Sequence, residues 1–371
     1  MMIKLNSASK ITMNELLAKA LEIKDRCKDI LLPGAYTGRK EKTPTGAANP
    51  GLTAATVSNE GEYGSLSFFA PISADDTVAL SMRMKAKLSS WAFYQLCSVR
   101  LGIPHNYMRK CLDSEYEDVK ALWQANVNTH LSHYDRATRI RLYWPDTSQE
   151  PVVRGIVTSS YAVFDSDQVL ETVQDVLGDG FSVKGYFLNE EGLHLRVTTP
   201  EPLAIDGEDL YPGLIISSGD VGNRSLEVSF FIWKQVCTNG LVMEKVSGQV
   251  LHKRHLGIYD PADFKMSLTE ALEMFPTFCE NAKTLVEEAR RKELTADMLT
   301  ERLKAFGKSV KLTEGEENAI TVLTTKYGMT LWGFVNALTE FAQAERFDLD
   351  NRIEIEAYAG DLITPKAATA A

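Results

Sequence analysis

The chain is 371 residues long, 44% hydrophobic and 24% charged, with a formal net charge of −10. These proportions belong to a globular protein rather than a disordered one, and the length suits two domains or one large domain with helical additions. No apolar run approaches the ~18 residues of a membrane helix, MMIKLNSASKITMNELL has no apolar signal-peptide core, and five scattered cysteines without a CxxC pair point to reduced thiols in a cytoplasm.

In chain order, Thr12-Met13-Asn14-Glu15 is a capping box that opens a helix with Leu16, Leu17, Ala20, Leu21 and Ile23 on one face. The helix is expected to run to Ile30 or Leu32, where Pro33-Gly34 stops it. Residues 33–52 are Gly-, Pro- and Thr-rich and read as a loop, and residues 63–82 alternate as one or two strands. Residues 83–131 read as three helices. From 137 to 258 the period changes to two, with candidate strands RIRLYW, VVRGIVT, FSVKGYFL, LHLRVTT, LIISSGD and SLEVSFFIWKQV. A helix from Ser166 to Leu177, capped by Asp165 or Ser166, interrupts them, and Asn189-Glu190-Glu191-Gly192 reads as a hairpin turn. From Pro261 onward the pattern is helical again: ADFKMSLTEALEMF, PTFCENAKTLVEEARRK and TADMLTERLKAF read as three helices, Thr313-Glu314-Gly315-Glu316 is a second capping box, and TLWGFVNALTEFAQAERF is the last long helix. The fold class is therefore α+β, with a central, mainly antiparallel sheet flanked by N-terminal and C-terminal helical regions. The expected divisions are 1–75, 76–136, 137–260 and 261–371.

Signatures of the common enzyme classes are missing: no GxxxxGK[ST], GxSxG, HExxH or strand-borne GxGxxG occurs. Cys237, in QVCTNGL, would need a base and a lowered pKa to act as a nucleophile; Asn239-Gly240 beside it is a hairpin-turn pair. The pairs His130/His133 and His252/His255 have a spacing that suits metal only with further ligands, which the sequence does not supply. No catalytic residue, metal ligand or cofactor is assigned.

Basic residues are a better guide. Residues 1–150 carry a balance of +3, residues 151–260 one of −7 and residues 261–371 one of −6. A uniformly basic DNA-coating surface is excluded, but a local basic groove is not, because screening limits each charge to about 8–10 Å. HKRH (His252–His255) is the densest basic cluster of the acidic centre, and Lys253 and Arg254 suit phosphate contacts. Arg154 lies inside a strand, where a long cation needs either a groove or a salt bridge across the sheet. Arg224 follows a glycine-containing hairpin. Trp91 and Tyr161 are candidate stacking surfaces beside these cations.

Several segments, taken in order, resemble a known family: RGIVTSSY with Asp165, the stretch from Gly213 to Ser225, CTNGL, RHLG at 254–257, TLWGFVNALTE from Thr330, AGDLI at 359–363 and, upstream, LGIPHNYMRK. The chain is similar to the phage- and plasmid-borne proteins grouped as domain of unknown function 932. The resemblance spans roughly residues 80–365; residues 1–75 match nothing. It implies a mobile-element protein in the cytoplasm of a bacterial host. On these grounds the expected function is non-enzymatic binding of single-stranded DNA, in annealing, recombination or protection, by a homo-oligomer. The contacts would be Arg154, Arg224, Lys253 and Arg254, with Tyr161 and Trp91 as stacking surfaces. The alternative is an interaction protein that neutralises or recruits a host protein. No membrane partner is expected.

Overall fold

The computed structural model describes residues 6–7, 11–34, 51–71, 81–205, 207–234, 239–242, 251–255 and 259–364. Helix α1 (Met13–Asp25) starts as the capping box predicts: the Thr12 hydroxyl accepts the Glu15 amide at 3.2 Å, and the Glu15 carboxylate accepts the Thr12 amide at 2.8 Å. It ends earlier than expected, because Cys27–Leu32 form a strand. Ile30 and Leu32 are buried while Lys28 and Leu31 are exposed, which is a strand's alternation.

That strand, β2, follows the short β1 (Asn6–Ser7) and edges a six-stranded sheet. The sheet's other members are β3 (Thr56–Ser58), β4 (Ser65–Pro71), β5 (Ser81–Leu88), β6 (Thr138–Tyr143) and β7 (Val152–Thr158), in the order β2-β6-β7-β5-β4-β3. Its described pairs are antiparallel except β5 with β7. MRMKAK (Met82–Lys87), at the start of the stretch read as helical, thus lies on strand β5. Ala86 and Leu88 are buried on either side of exposed Lys87, and the period is two. Helices α2 (Ser90–Tyr94), α3 (His105–Leu112) and α4 (Glu117–Ser132) supply Phe93, Met108 and Trp123 to a core shared with Phe68 and Leu142 of the sheet. Helix α2 runs directly into a π-helical turn, Gln95–Arg100, where the Leu101 amide bonds five residues back to the Leu96 carbonyl at 3.1 Å.

The second sheet holds β1 with β8 (Ser182–Asn189), β9 (Gly192–Thr198), β11 (Glu208–Gly219), β12 (Leu226–Lys234) and β13 (Asn239–Val242), in the order β1-β8-β9-β11-β12-β13. Strand β10 (Leu203–Ile205) pairs with β11, and β14 (Leu251–Lys253) with β12. The run of strands read as one central sheet is therefore divided: β6 and β7 join the N-terminal strands, and the rest form their own sheet. Asn189 opposite Gly192 closes the β8–β9 hairpin as predicted. Asn239-Gly240, expected as a corner, is instead paired with Lys234 and Trp233 in β13. Cys237 lies outside the described residues.

Helix α5 (Ser166–Leu177) and helix α6 (Pro261–Arg291) cover one face of this sheet, meeting Leu193, Leu195 and Val197. Two helices were expected where α6 runs unbroken for 31 residues with Pro276 inside. Phe275 and Phe278, either side of that proline, pack on Phe230 with ring centroids 5.5 and 4.8 Å away, so the sheet holds the helix together where its ladder loses a donor. Helices α7 (Ala296–Ser309), α8 (Glu314–Tyr327) and α9 (Leu331–Phe341) follow. The final pattern predicted one long helix, but α9 ends at Phe341 and a separate α10 (Leu349–Ile363), capped by Asp348, lies beyond it. Helix α10 covers the sheet's opposite face. There Arg196 and Glu356 form a buried bidentate pair at 2.6 and 3.2 Å, and His194 accepts from Arg196 Nε at 3.3 Å. Among the described residues no helix is long and apolar enough to cross a membrane.

The sheets meet where β7 passes the turn after β11. Gly155 sits at that crossing: a Cβ there would lie 2.9 Å from the Val221 Cβ. Gly155→Ala is expected to push the sheets apart and cost about 1–3 kcal/mol by overpacking, read as a lower urea midpoint with unchanged secondary structure. An unchanged midpoint would contradict this packing.

Candidate nucleic-acid interface

The seam is built from charges. Arg141 on β6 and Arg154 on β7 alternate inward from the first sheet, each with a side chain 1% exposed. Asp165 caps α5, and Asp220 follows β11; both carboxylates are buried. Arg141 donates through Nη2 to Asp165 Oδ2 at 2.7 Å, through Nε to Asp29 Oδ1 at 2.9 Å and through Nη1 to the Asp220 carbonyl. Arg154 donates to the Glu190 carbonyl at 2.6 Å and lies 3.4 Å from Asp165 Oδ2 and 3.6 Å from Asp220 Oδ2. Lys24 of α1 reaches Asp165 Oδ2 at 2.8 Å, and the Ser166 hydroxyl donates to Asp220 Oδ1 at 2.8 Å. Arg141, Arg154 and Lys24 thus face Asp29, Asp165 and Asp220, so each buried cation has a carboxylate beside it.

This network positions the turn 219–225. Its carbonyls are gripped from the first sheet's side: Tyr161 Oη donates to Gly219 and Asp220, Gln95 Nε2 to Val221 at 2.8 Å, and Trp91 Nε1 to Val221 at 3.2 Å. Gln95 also accepts the Ile156 amide at 2.7 Å, so the π-helical turn is tied to both sheets. Gly222 turns the chain with φ +75°, a conformation that favours glycine.

Above the gripped turn lies an open cleft of about 460 Å³. Its cations are Arg100, Arg224 and Arg254, its aromatic side chains Trp91, Tyr94 and Tyr161, and among the described residues no carboxylate lines it. Trp91 and Tyr94 are half-buried, with ring centroids 5.0 Å apart, and Val99 beside them is exposed. Arg100 donates to the Ile156 carbonyl at 3.0 Å. Arg254 is exposed and forms no ion pair among the described residues. Arg224 pairs with Asp350 at the start of α10, at the boundary with a second pocket. His255 forms part of the wall: its Nδ1 donates to the Ala162 carbonyl at 3.2 Å, and burial lowers its pKa.

Four of the six residues singled out in the sequence, Trp91, Tyr161, Arg224 and Arg254, line this one cleft, although they span more than 160 positions. Two do not. Arg154 is spent on Asp165, Asp220 and the Glu190 carbonyl beneath the cleft, so its guanidinium is closed to a phosphate; the salt-bridge reading of this strand arginine holds. Lys253 turns away to Asp263 at 3.2 Å, its ammonium 4.6 Å from the Tyr259 ring centroid. Tyr161 lines the cleft but is no free platform, since its ring stacks on His255 at 5.1 Å and is 8% exposed. Tyr94 and Arg100 were not selected from the sequence. Their signal is local: both follow Trp91 on one short helical segment.

Fold and cleft together define an α+β protein of two sheets, clamped by a buried ionic cluster, with a cationic and aromatic groove at their junction. The chain belongs to the family described as Domain of unknown function (DUF932), matched over residues 153–359. No curated protein and no solved structure matches the chain significantly. The match runs from β7 into α10, so it takes in Arg154, Asp165, Asp220, Arg224 and Arg254. Trp91, Tyr94 and Arg100 lie outside it, on the cleft's other wall.

The two buried aspartates give opposite pH dependence. Burial and the adjacent Asp165 charge push Asp220 up to about 7 from an ordinary value of 3.8. Its contribution to stability is complete below the ordinary value and is lost as pH rises through about 7. For Asp165, burial opposes ionisation, but Arg141, Arg154 and Lys24 outweigh it and hold the carboxyl well below its ordinary range. Its contribution is complete above that range and is lost as the solution is acidified. In urea unfolding near neutral pH, Asp165→Asn is expected to cost about 3–5 kcal/mol by leaving two buried arginines short of a counter-charge. Asp220→Asn should cost far less and flatten the fall in stability between its two pKa values. Equal losses in the two variants would contradict this assignment.

Proposed function

We propose that the cleft binds single-stranded DNA, with phosphates on Arg100, Arg224 and Arg254 and bases stacked on Trp91 and Tyr94. One observation carries this reading: three arginines and two half-exposed aromatic rings line a single cleft that, among the described residues, holds no carboxylate, in a region whose overall charge is negative. Cations in such a groove track a phosphate backbone, and aromatic faces accept unpaired bases whatever their sequence. A duplex hides its base faces and would leave the rings unused. The π-helical turn that carries Gln95 and Arg100 adds weight, since such turns recur at functional sites. In this reading the protein is an accessory of a phage or plasmid, acts in the cytoplasm of a bacterial host without catalysing a reaction, and serves annealing, recombination or protection as a homo-oligomer.

Binding of a labelled oligonucleotide should weaken with salt along a straight log–log line. Arg224→Ala and Arg254→Ala should each reduce the slope by about 0.7, the value for one phosphate contact on a single strand. Lys253→Ala, away from the cleft, should leave the slope unchanged. Trp91→Ala should cost about 1–3 kcal/mol of affinity, most of it recovered by Trp91→Phe. No binding at low salt, or equal effects of all three basic substitutions, would overturn the proposal.

A further inference from the structure

The three arginines of the cleft are not equally free. Among the described residues Arg100 and Arg254 form no ion pair, whereas Arg224 pairs through Nη2 with Asp350. Arg224 stands on a boundary: it lines both the cleft and the adjoining pocket of about 270 Å³, while Asp350 lines only the pocket. A guanidinium already neutralised by a carboxylate offers a phosphate little net attraction, because two anions then share one positive charge. The place of this carboxylate does not depend on Arg224. Asp350 lies in the first turn of α10, whose start is fixed by Asp348 accepting the Asn351 amide at 2.9 Å and by the buried Leu349. Further along the same helix, Glu356 binds Arg196 at 2.6 and 3.2 Å in the interior. The backbone that carries Arg224 is held as well, since Tyr161, Gln95 and Trp91 grip the turn 219–225. What is left to move is the Arg224 side chain. Its departure strands no charge: the Asp350 side chain is 69% exposed and sits at the positive end of the helix dipole, so a released carboxylate stays hydrated and favourably placed.

We propose that Asp350 is a built-in competitor of the strand: it occupies Arg224 in the free protein and yields it to a phosphate when the strand enters the cleft. This rests on the single-strand reading of that cleft. Binding is then an exchange of partners at Arg224 and a simple association at Arg100 and Arg254. The exchange sets a threshold. A lone phosphate ion has to displace Asp350 unaided, whereas a strand brings stacking on Trp91 and Tyr94 and further phosphates on Arg100 and Arg254, joined in one molecule. The threshold is low, because the pair is open to solvent and screened by salt. It selects a polynucleotide over small anions without closing the site.

The test measures binding of an all-thymine oligonucleotide at low salt to the whole protein and to three variants: Asp350→Asn, Arg224→Gln and the two together. Asp350→Asn should tighten binding by about 1.5- to 5-fold, the range for releasing one exposed ion pair, and the gain should shrink as added salt screens the pair. Tighter binding cannot arise from a loss of folded protein. On the Arg224→Gln background the same substitution should leave affinity unchanged, because its effect runs through Arg224. Unchanged or weaker binding by Asp350→Asn would mean that the carboxylate holds Arg224 in place for the strand and would overturn the inference. A comparable gain on the Arg224→Gln background would mean that only the general loss of negative charge is at work and would overturn it too; the cleft assignment survives either result. Failure of the wild-type protein and every variant to bind at low salt would overturn both.

Discussion

Two arginines and two aspartates with almost no access to water hold the sheets in register. Arg141 and Arg154 come from one sheet, Asp220 from the turn that ends a strand of the other, and Asp165 from the helix between them. Lys24 and Asp29 complete the balance from α1 and β2. Such a cluster is not a cheap source of stability, because each ion gives up its hydration, but it has few alternative arrangements. Shifting one sheet by a residue would strand at least one charge. The seam is therefore specified by electrostatics where the flanking cores, filled with Leu, Val and Phe, would accept small displacements.

The cleft inherits its shape from that seam. The turn 219–225 belongs to one sheet, yet its carbonyls are held by Trp91, Gln95, Arg141 and Tyr161 from the other side. Arg224 leaves this turn, Arg100 leaves the π-helical segment, and Arg254 leaves the strand that borders β12. No one of these elements makes a site alone. The surplus of negative charge does not forbid a cationic groove, because screening limits each charge to about 8–10 Å and Arg100, Arg224 and Arg254 converge on the cleft. Asp350, the carboxylate paired with Arg224, lines the adjoining pocket rather than this cleft.

Much of this was legible in the chain. Capping boxes at Thr12 and Thr313 and the Asp165 cap are local codes, and all three hold in the structure. The strands of residues 137–234 were visible because their alternation is local as well. Their division into two sheets was not, since sheet partnership depends on contacts such as Arg141 with Asp220, far apart in sequence. Short elements were misread where apolar residues fit two periods: ILL after α1 and MRMKAK before α2 both became strands once neighbours were available to pair. Among the site residues, Arg224 and Arg254 were recoverable as cations in an acidic region. Arg154 looked the same by composition, and only its burial against Asp165 and Asp220 distinguishes it from the arginines that line the cleft.

The central claim is that one groove, walled by residues on either side of the seam, holds a single strand. Photocrosslinking tests it most directly: irradiate the protein with an oligonucleotide carrying a photoreactive pyrimidine and map the modified peptides by mass spectrometry. The account predicts crosslinks concentrated on Trp91 and Tyr94, with adducts on the segment around Arg224 from the opposite wall. Crosslinks confined to other surfaces, or to one wall without the other, would contradict it.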